Sequence, residues 1–187
     1  MRKKILVAAV AVLLLLGAFN ASAQVRLDVD IPWVLTAGAN LGLFTGDSSG
    51  TPTLDLSQFH LILPHIDLAY QFGNGFFTGG VGLRNYTVLI EFFSYPIGYV
   101  ELNLKPIVIR AELGGFMYIL WGFYNHLFLS ADSLKIWIPD VSVAFAFTDW
   151  FRLGAGATVI VPFGDFNQFG YIFYIDARFA FLFRGKK

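Results

Sequence analysis

The stretch VRLDVDIPWVLTAGANLGL, residues 25–43, alternates apolar residues with polar or small ones. Its odd positions hold Val, Leu, Ile, Trp and Ala, and most of its even positions hold Arg, Asp, Thr, Asn or Gly. Successive side chains of a β-strand point to opposite faces, so this period of two predicts a strand with one apolar and one polar face. Residues 169–183 repeat the pattern near the C-terminus. A helix would mix these residues on all its sides.

The composition indicates a nonaqueous environment. Of 187 residues, 56% are hydrophobic, 18% aromatic and 14% charged, whereas soluble domains average about 25% charged residues. Inside a bilayer only helices and closed β-barrels satisfy all their backbone hydrogen bonds, so the period of two favours a barrel. The alternative is a transmembrane helix at Leu113–Ala131, which carries no charged residue. Its Gly114-Gly115 pair and its aromatic residues favour a strand followed by an aromatic loop.

The first 23 residues have the three parts of a secretory signal peptide. Cations occupy positions 2–4, an apolar run follows at Ile5–Leu16, and Ala21-Ser22-Ala23 fits signal peptidase. The apolar run falls short of the roughly 20 residues that a membrane-spanning helix needs, which disfavours a retained anchor. We therefore expect a signal peptide at 1–23, Sec-dependent export and a single domain at 24–187.

The absence of cysteine and the charge balance exclude several classes of site. Without cysteine the chain has no disulfide, no thiolate metal site and no lipoprotein anchor. Lys and Arg together number 13, as do Asp and Glu, so removal of the signal cations leaves a mildly acidic chain. Such a chain is not expected to bind nucleic acid.

Turn signals divide residues 24–187 into eight strands. Three tight turns are predicted, at Asn74-Gly75 as a type I′ turn, at Lys105-Pro106 and at Asp149–Phe151. They alternate with longer connections at about Gly46–Ser57, Glu91–Tyr95, Trp121–Ser133 and Gly164–Gln168. The fold class predicted is all-β, an eight-stranded antiparallel transmembrane β-barrel preceded by a cleavable signal peptide.

The two clearest turns also predict register. The Asn-Gly turn places His65 opposite Arg84, and the Lys-Pro turn places Glu101 opposite Arg110. Between Arg84 and Tyr95 the apolar residues move from odd to even positions. This change predicts a bulge or an early departure of the chain from the membrane.

The alternation, the even strand count and the short turns resemble the small eight-stranded bacterial outer-membrane barrels, a group that includes OmpA-like, OmpX-like and OmpW-like proteins. The resemblance implies an outer-membrane location, with membrane lipid and the barrel-assembly machinery as partners. In such proteins the last strand usually ends on an aromatic residue. Phe183 has that position here, and residues 184–187 follow it.

The lumen of an eight-stranded barrel is narrow, so a broad diffusion porin is not expected. Because buried charges are costly unless paired, a lumen with both signs predicts an ion-paired plug and a structural membrane-wall role with slow passage of small solutes. The resemblance to OmpA-like barrels implies an alternative, a gate in which Glu101 and Arg110 exchange partners. The predicted lining charges are Arg26, Asp28, Asp30, Asp67, Arg84, Glu101, Arg110, Glu112, Arg152, Asp176 and Arg178.

Two other functions are kept as alternatives. Trp121, Phe123, Tyr124 and Phe128 form either an interfacial aromatic girdle or a lip that leads small hydrophobic ligands into the wall, as in OmpW-like barrels. The polar loop at residues 46–52 would suit a surface adhesin.

An enzyme is the least supported class. The chain has three histidines, at positions 60, 65 and 126, and no nucleophile motif accompanies them. His65 lies two residues from Asp67 on the same face, which predicts a structural hydrogen bond. No catalytic residue, cofactor or metal site is therefore expected.

Overall fold

The computed structural model describes residues 24–40, 53–55, 61–88, 91–116, 118–122, 128–129, 136–162 and 169–183. The predicted signal peptide lies outside these ranges and stays a prediction. The strands are β1 (Gln24–Asn40), β2 (Thr53–Asp55), β3 (His65–Asn74), β4 (Phe77–Val88), β5 (Glu91–Asn103), β6 (Ile107–Gly115), β7 (Tyr118–Gly122), β8 (Phe128–Leu129), β9 (Ile136–Ala146), β10 (Phe151–Pro162) and β11 (Gly170–Phe183).

Eight of these strands close into an antiparallel barrel, in the order β1, β3, β4, β5, β6, β9, β10, β11. The first and last strands pair with each other, so each wall strand has two hydrogen-bonded neighbours and the barrel has no open edge. The short strands β2, β7 and β8 extend the loop end, where β2 pairs with β1, β7 with β5 and β8 with β7. The predicted fold class and strand count are confirmed.

The helix alternative for Leu113–Ala131 is wrong wherever that segment is described, because its residues there lie mainly in β6, β7 and β8. No helix in the described ranges is long and apolar enough to cross a membrane.

The alternation places apolar side chains outside and polar ones inside. Trp33, Val143 and Phe173 are among the exposed outer residues. In β1 the predicted alternation holds as far as Val34, where a bulge shifts the register between Val34 and Thr36. The extra residue reverses the faces, so Ala37 is buried although an outward position was predicted for it.

The β3–β4 register differs from the prediction by two residues. Asn74 pairs with Phe77, so the turn residues are Gly75 and Phe76 rather than Asn74 and Gly75. Gly75 has a φ of +64°, whereas Phe76, the second turn residue, has no positive φ. A single positive φ at the first turn position defines a type II′ turn, whereas type I′ needs two. A shift of two residues leaves every side chain on its predicted face of the sheet but changes its cross-strand partner. Asp67, and not His65, therefore lies opposite Arg84.

The β5–β6 register is confirmed, with Glu101 opposite Arg110. The β9–β10 turn occupies residues 147–150, slightly before its predicted place. There the Thr148 hydroxyl oxygen accepts hydrogen bonds from the backbone N–H groups of Trp150 (3.3 Å) and Phe151 (2.9 Å).

The predicted connection at Glu91–Tyr95 and the predicted bulge beside it are both wrong. Glu91 is already the first residue of β5, and its pairing with β4 runs without a register shift from Val88 to Phe77. Even-numbered residues of β4 continue to face the lumen along this segment. Tyr86 lies on the same inner face as Arg84 and packs with inward aromatic residues, so the interior itself changes from charged to aromatic.

Candidate functional site in the barrel lumen

The structure places every predicted lining charge inside the barrel. Each of these side chains is at most 8% exposed. The other polar residues buried on the same inner face include His65, Asp140 and Tyr174. Together these groups fill the lumen from the turn end to the middle of the barrel.

Arg110 on β6 links opposite walls of the barrel. Its side chain is 2% exposed, and its Nη1 donates to Oδ2 of Asp28 on β1 at 2.7 Å. Three wall strands separate β1 from β6 in either direction, so this ion pair spans the lumen. Nη2 contacts Glu112 at 2.8 Å and Asp67 at 3.3 Å. The Tyr99 ring centre lies 4.1 Å from the guanidinium carbon, a distance suited to a cation–π interaction.

Arg84 joins the same cluster from β4. Its Nε and Nη2 bind the two carboxylate oxygens of Asp67 at 2.8 and 2.7 Å. This two-bond geometry is the strong form of an arginine–carboxylate pair. Arg84 Nη2 also donates to Glu112 at 3.0 Å, so Arg84 and Arg110 share both carboxylates.

A second cluster lies nearer the turn end, around Glu101. The Glu101 carboxylate contacts Arg152 at 2.9 Å and Arg26 at 3.2 Å. Arg26 in turn donates to Asp28 at 2.7 Å, which connects this cluster to Arg110. Glu101 and Arg110 are opposite in register, but the ion pairs described for each of them go to other residues. Register therefore predicted the position of these charges and not their pairing.

The third cluster lies toward the loop end. Arg178 Nε donates to Asp30 Oδ1 at 2.7 Å, and Arg178 also contacts Asp176 at 3.3 Å. Nearby, the Tyr174 hydroxyl donates to Asp140 at 2.8 Å, and Thr158 donates to the same carboxylate. A cavity of about 20 Å³ lies between these groups. This volume is sufficient for a water molecule.

Above the charges, aromatic residues cover part of the lumen wall toward the loop end. This aromatic cap consists of Tyr86, Phe93, Tyr95 and Tyr118, packed with Ile97 and Ile138. Phe93 and Tyr118 stack with ring centres 5.2 Å apart. The Tyr118 hydroxyl donates to the backbone carbonyl of Ile136 at 2.9 Å, which ties β7 to the start of β9.

Sequence reasoning missed two of these features. Asp140 was missed although it has the even parity of Arg152, a predicted lining residue on the neighbouring strand. The aromatic cap was missed because apolar residues were assigned to the outside, although Tyr86 shares the parity of Arg84.

The predicted aromatic lip or girdle stays a prediction. Trp121 and Phe128 lie in β7 and β8, while Phe123 and Tyr124 fall outside the described residues. His60, His126 and the residues 46–52 of the proposed adhesin loop also fall outside them.

A closed eight-stranded barrel with an apolar outer face and a charged interior is the architecture of the small outer-membrane barrels. No family model matches the chain, and no curated protein matches its sequence. Among solved structures, that of Neisserial surface protein A is similar to this chain. The two share 12% identity over 86% of this chain and 98% of the neisserial chain, with a TM-score of 0.43.

Proposed function

We propose that this chain is an integral outer-membrane barrel whose lumen is sealed by ion pairs, so that it acts as a membrane-wall protein rather than a diffusion pore. The observation that carries the proposal is the Arg110–Asp28 pair, which joins opposite walls at 2.7 Å. No enzymatic activity is part of the proposal.

The outer surface supports residence in a membrane. Large apolar side chains are exposed on the wall strands, including Trp33, Leu68, Val81, Val143 and Phe181. Soluble monomers rarely expose continuous apolar surface on this scale, whereas lipid requires it. The predicted signal peptide supports export, and β11 ends at Phe183, the aromatic position that the barrel-assembly machinery would recognise.

The ion-pair network supports a closed state. A solute moving through the lumen would have to separate Arg110 from Asp28, Glu112 and Asp67. Leaving a charge unpaired in such an interior costs several kcal/mol, roughly 3–5 for a broken buried pair. The lumen is therefore closed at rest. Slow passage of small solutes would need Arg110 to exchange partners within this cluster.

Planar-bilayer recording tests the proposal. The purified parent should give no steady conductance, whereas Arg110→Ala, which removes the link between the walls, should give discrete openings. Lys105→Ala is the matched control, because it removes a cation whose side chain is 86% exposed in the turn. It should be as silent as the parent.

Two results would contradict the proposal. Steady conduction by the parent would show an open lumen. Silence of Arg110→Ala, in protein that still shifts in mobility on heating, would show that Arg110 does not seal it.

A further inference from the structure

Three side chains with metal-binding groups converge on the lumen wall between β1 and β3. Asp30 lies directly opposite His65, and Asp67 follows two residues along the same inner face. His65 Nε2 lies 3.2 Å from Asp30 Oδ2 and 3.9 Å from Asp67 Oδ1. All three residues are buried. One ligand atom of each residue lies within 4.8 Å of the other two. Atoms that share one ion at about 2.0–2.2 Å lie roughly 3 to 4 Å apart, so small side-chain shifts would bring all three onto a single cation.

Two of these ligand atoms lack a hydrogen bond within the described part of the chain. His65 Nε2 and Asp30 Oδ2 are both buried and unsatisfied, although they face each other. His65 Nδ1 lies 3.4 Å from the Leu63 carbonyl oxygen. When Nδ1–H donates to that carbonyl, Nε2 and Asp30 Oδ2 face each other at 3.2 Å, and either a second proton on the imidazole or a metal cation must lie between them.

The carboxylates are oriented as metal ligands usually are. Asp30 accepts from Arg178 through Oδ1, which leaves Oδ2 directed at His65. Asp67 accepts from Arg84 through both oxygens, so a metal ion would share Oδ1 with Arg84 Nε. Outer contacts of this kind fix the position of a ligating group without occupying it completely.

The charge balance of the lumen provides an independent reason for a cation. The buried groups of the described ranges include five arginines, seven carboxylates and His65, so with every carboxylate ionised and His65 neutral the lumen has an excess of two negative charges. One divalent ion would neutralise that excess. The arginines are Arg26, Arg84, Arg110, Arg152 and Arg178, and the carboxylates are Asp28, Asp30, Asp67, Glu101, Glu112, Asp140 and Asp176.

We propose that Asp30, His65 and Asp67 bind one divalent transition-metal ion of the Zn²⁺ class. One imidazole and two carboxylates suit such an ion better than Ca²⁺ or Mg²⁺, which prefer oxygen ligands alone. The 20 Å³ cavity lined by His65 has room for a water ligand. Arg84 and Arg178 lie close by and reduce the affinity electrostatically. The proposal does not depend on whether the lumen conducts.

The first test measures metal in the full chain expressed in bacteria and purified from membranes in detergent. We expect about one transition-metal ion per barrel in elemental analysis. After removal by a chelator, Zn²⁺ titrated during refolding should bind saturably at one equivalent, and Co²⁺ should develop the absorption of a coordinated ion. Ca²⁺ should not compete. A parent that binds no more Zn²⁺ or Co²⁺ than a detergent blank would overturn the proposal.

Variants then locate the site. His65→Gln and Asp30→Asn should each weaken Zn²⁺ binding at least about tenfold. Asp176→Asn is the matched control, since Asp176 is a buried carboxylate on Arg178 outside the three ligands, and it should retain binding. His126→Ala tests adventitious binding by another histidine and should also retain it. Equal affinity in His65→Gln and the parent would overturn the proposal, as would a site lost only in His126→Ala.

Discussion

Arg110 and Asp28 are joined at 2.7 Å although their strands, β6 and β1, lie on opposite walls of the barrel. The alternation that gives the barrel its apolar exterior also forces polar residues into a narrow interior. Charges in that interior must neutralise one another, because their hydration is lost. The long arginine side chains reach across the lumen to do so.

Loss of Arg110 should strongly destabilise the barrel. Arg110→Ala leaves Asp28 and Glu112 without one of their cations, and we expect the free energy of unfolding to fall by about 3–5 kcal/mol. Guanidinium unfolding in detergent, followed by tryptophan fluorescence, measures it. Lys105→Ala breaks only the exposed 3.9 Å contact with Asp149 and should change nothing measurable. Similar unfolding curves for the two variants would contradict the central position of Arg110.

The β3–β4 turn predicts that substitution destabilises the barrel at Gly75 and not at the neighbouring Asn74. Gly75 has a φ of +64°, and a β-branched residue is strained there, so Gly75→Val should cost about 1–2 kcal/mol. Asn74 is the last residue of β3, paired with Phe77, and not a turn residue, so Asn74→Ala should be nearly neutral. Equilibrium unfolding compares the two. A larger loss from Asn74→Ala would favour the type I′ turn and its register instead.

Close strand packing predicts that Gly82 cannot accept a side chain. A Cβ there would lie 2.2 Å from the Leu68 carbonyl oxygen and 2.6 Å from Ala69 Cα, both of them backbone atoms. We expect Gly82→Ala to cost at least about 1–3 kcal/mol and to lower the fraction of folded protein on unheated SDS gels. Gly98 in the neighbouring strand is the control, since its nearest contact would be 4.0 Å away. Equal folding of the two alanine variants would show that the β3–β4 packing is different.

The hydroxyl of Tyr118 should stabilise the junction between β7 and β9. Tyr118→Phe removes its 2.9 Å hydrogen bond to Ile136 and should cost about 1 kcal/mol. Tyr118→Ala also removes the ring from the aromatic cap and should cost about 3–5 kcal/mol. Tyr70→Phe, on the exposed outer face, is the control and should have no effect. An unchanged Tyr118→Ala would contradict the packing of the cap.

The fold could be predicted because alternation is a local property of each strand. The β5–β6 register was also accessible, since proline at Lys105-Pro106 marks the turn. The β3–β4 register was not, because Gly73-Asn74-Gly75 fits two turn types whose registers differ by two residues. A shift of two keeps every apolar residue outside, so the sequence pattern cannot distinguish them.

The sequence predicted which charged residues line the candidate site, but not which of them contact one another. Parity identified the charges that face the lumen, but Glu101 and Arg110 find partners on distant strands. Asp30 lies opposite His65 because of the β1–β3 register. That register could not be predicted, since no tight turn connects the two strands. The aromatic cap was missed because an aromatic residue at an inward position, such as Tyr86, was interpreted as a reversal of the strand's inner and outer faces.

The most direct test of a closed membrane barrel is a combined measurement on the purified chain in detergent. Circular dichroism gives its secondary structure, and SDS gels of unheated and boiled samples show whether a compact form resists the detergent. We expect a strand-rich spectrum and a mobility shift on boiling. A helical spectrum with no shift would contradict the barrel and everything inferred from its lumen.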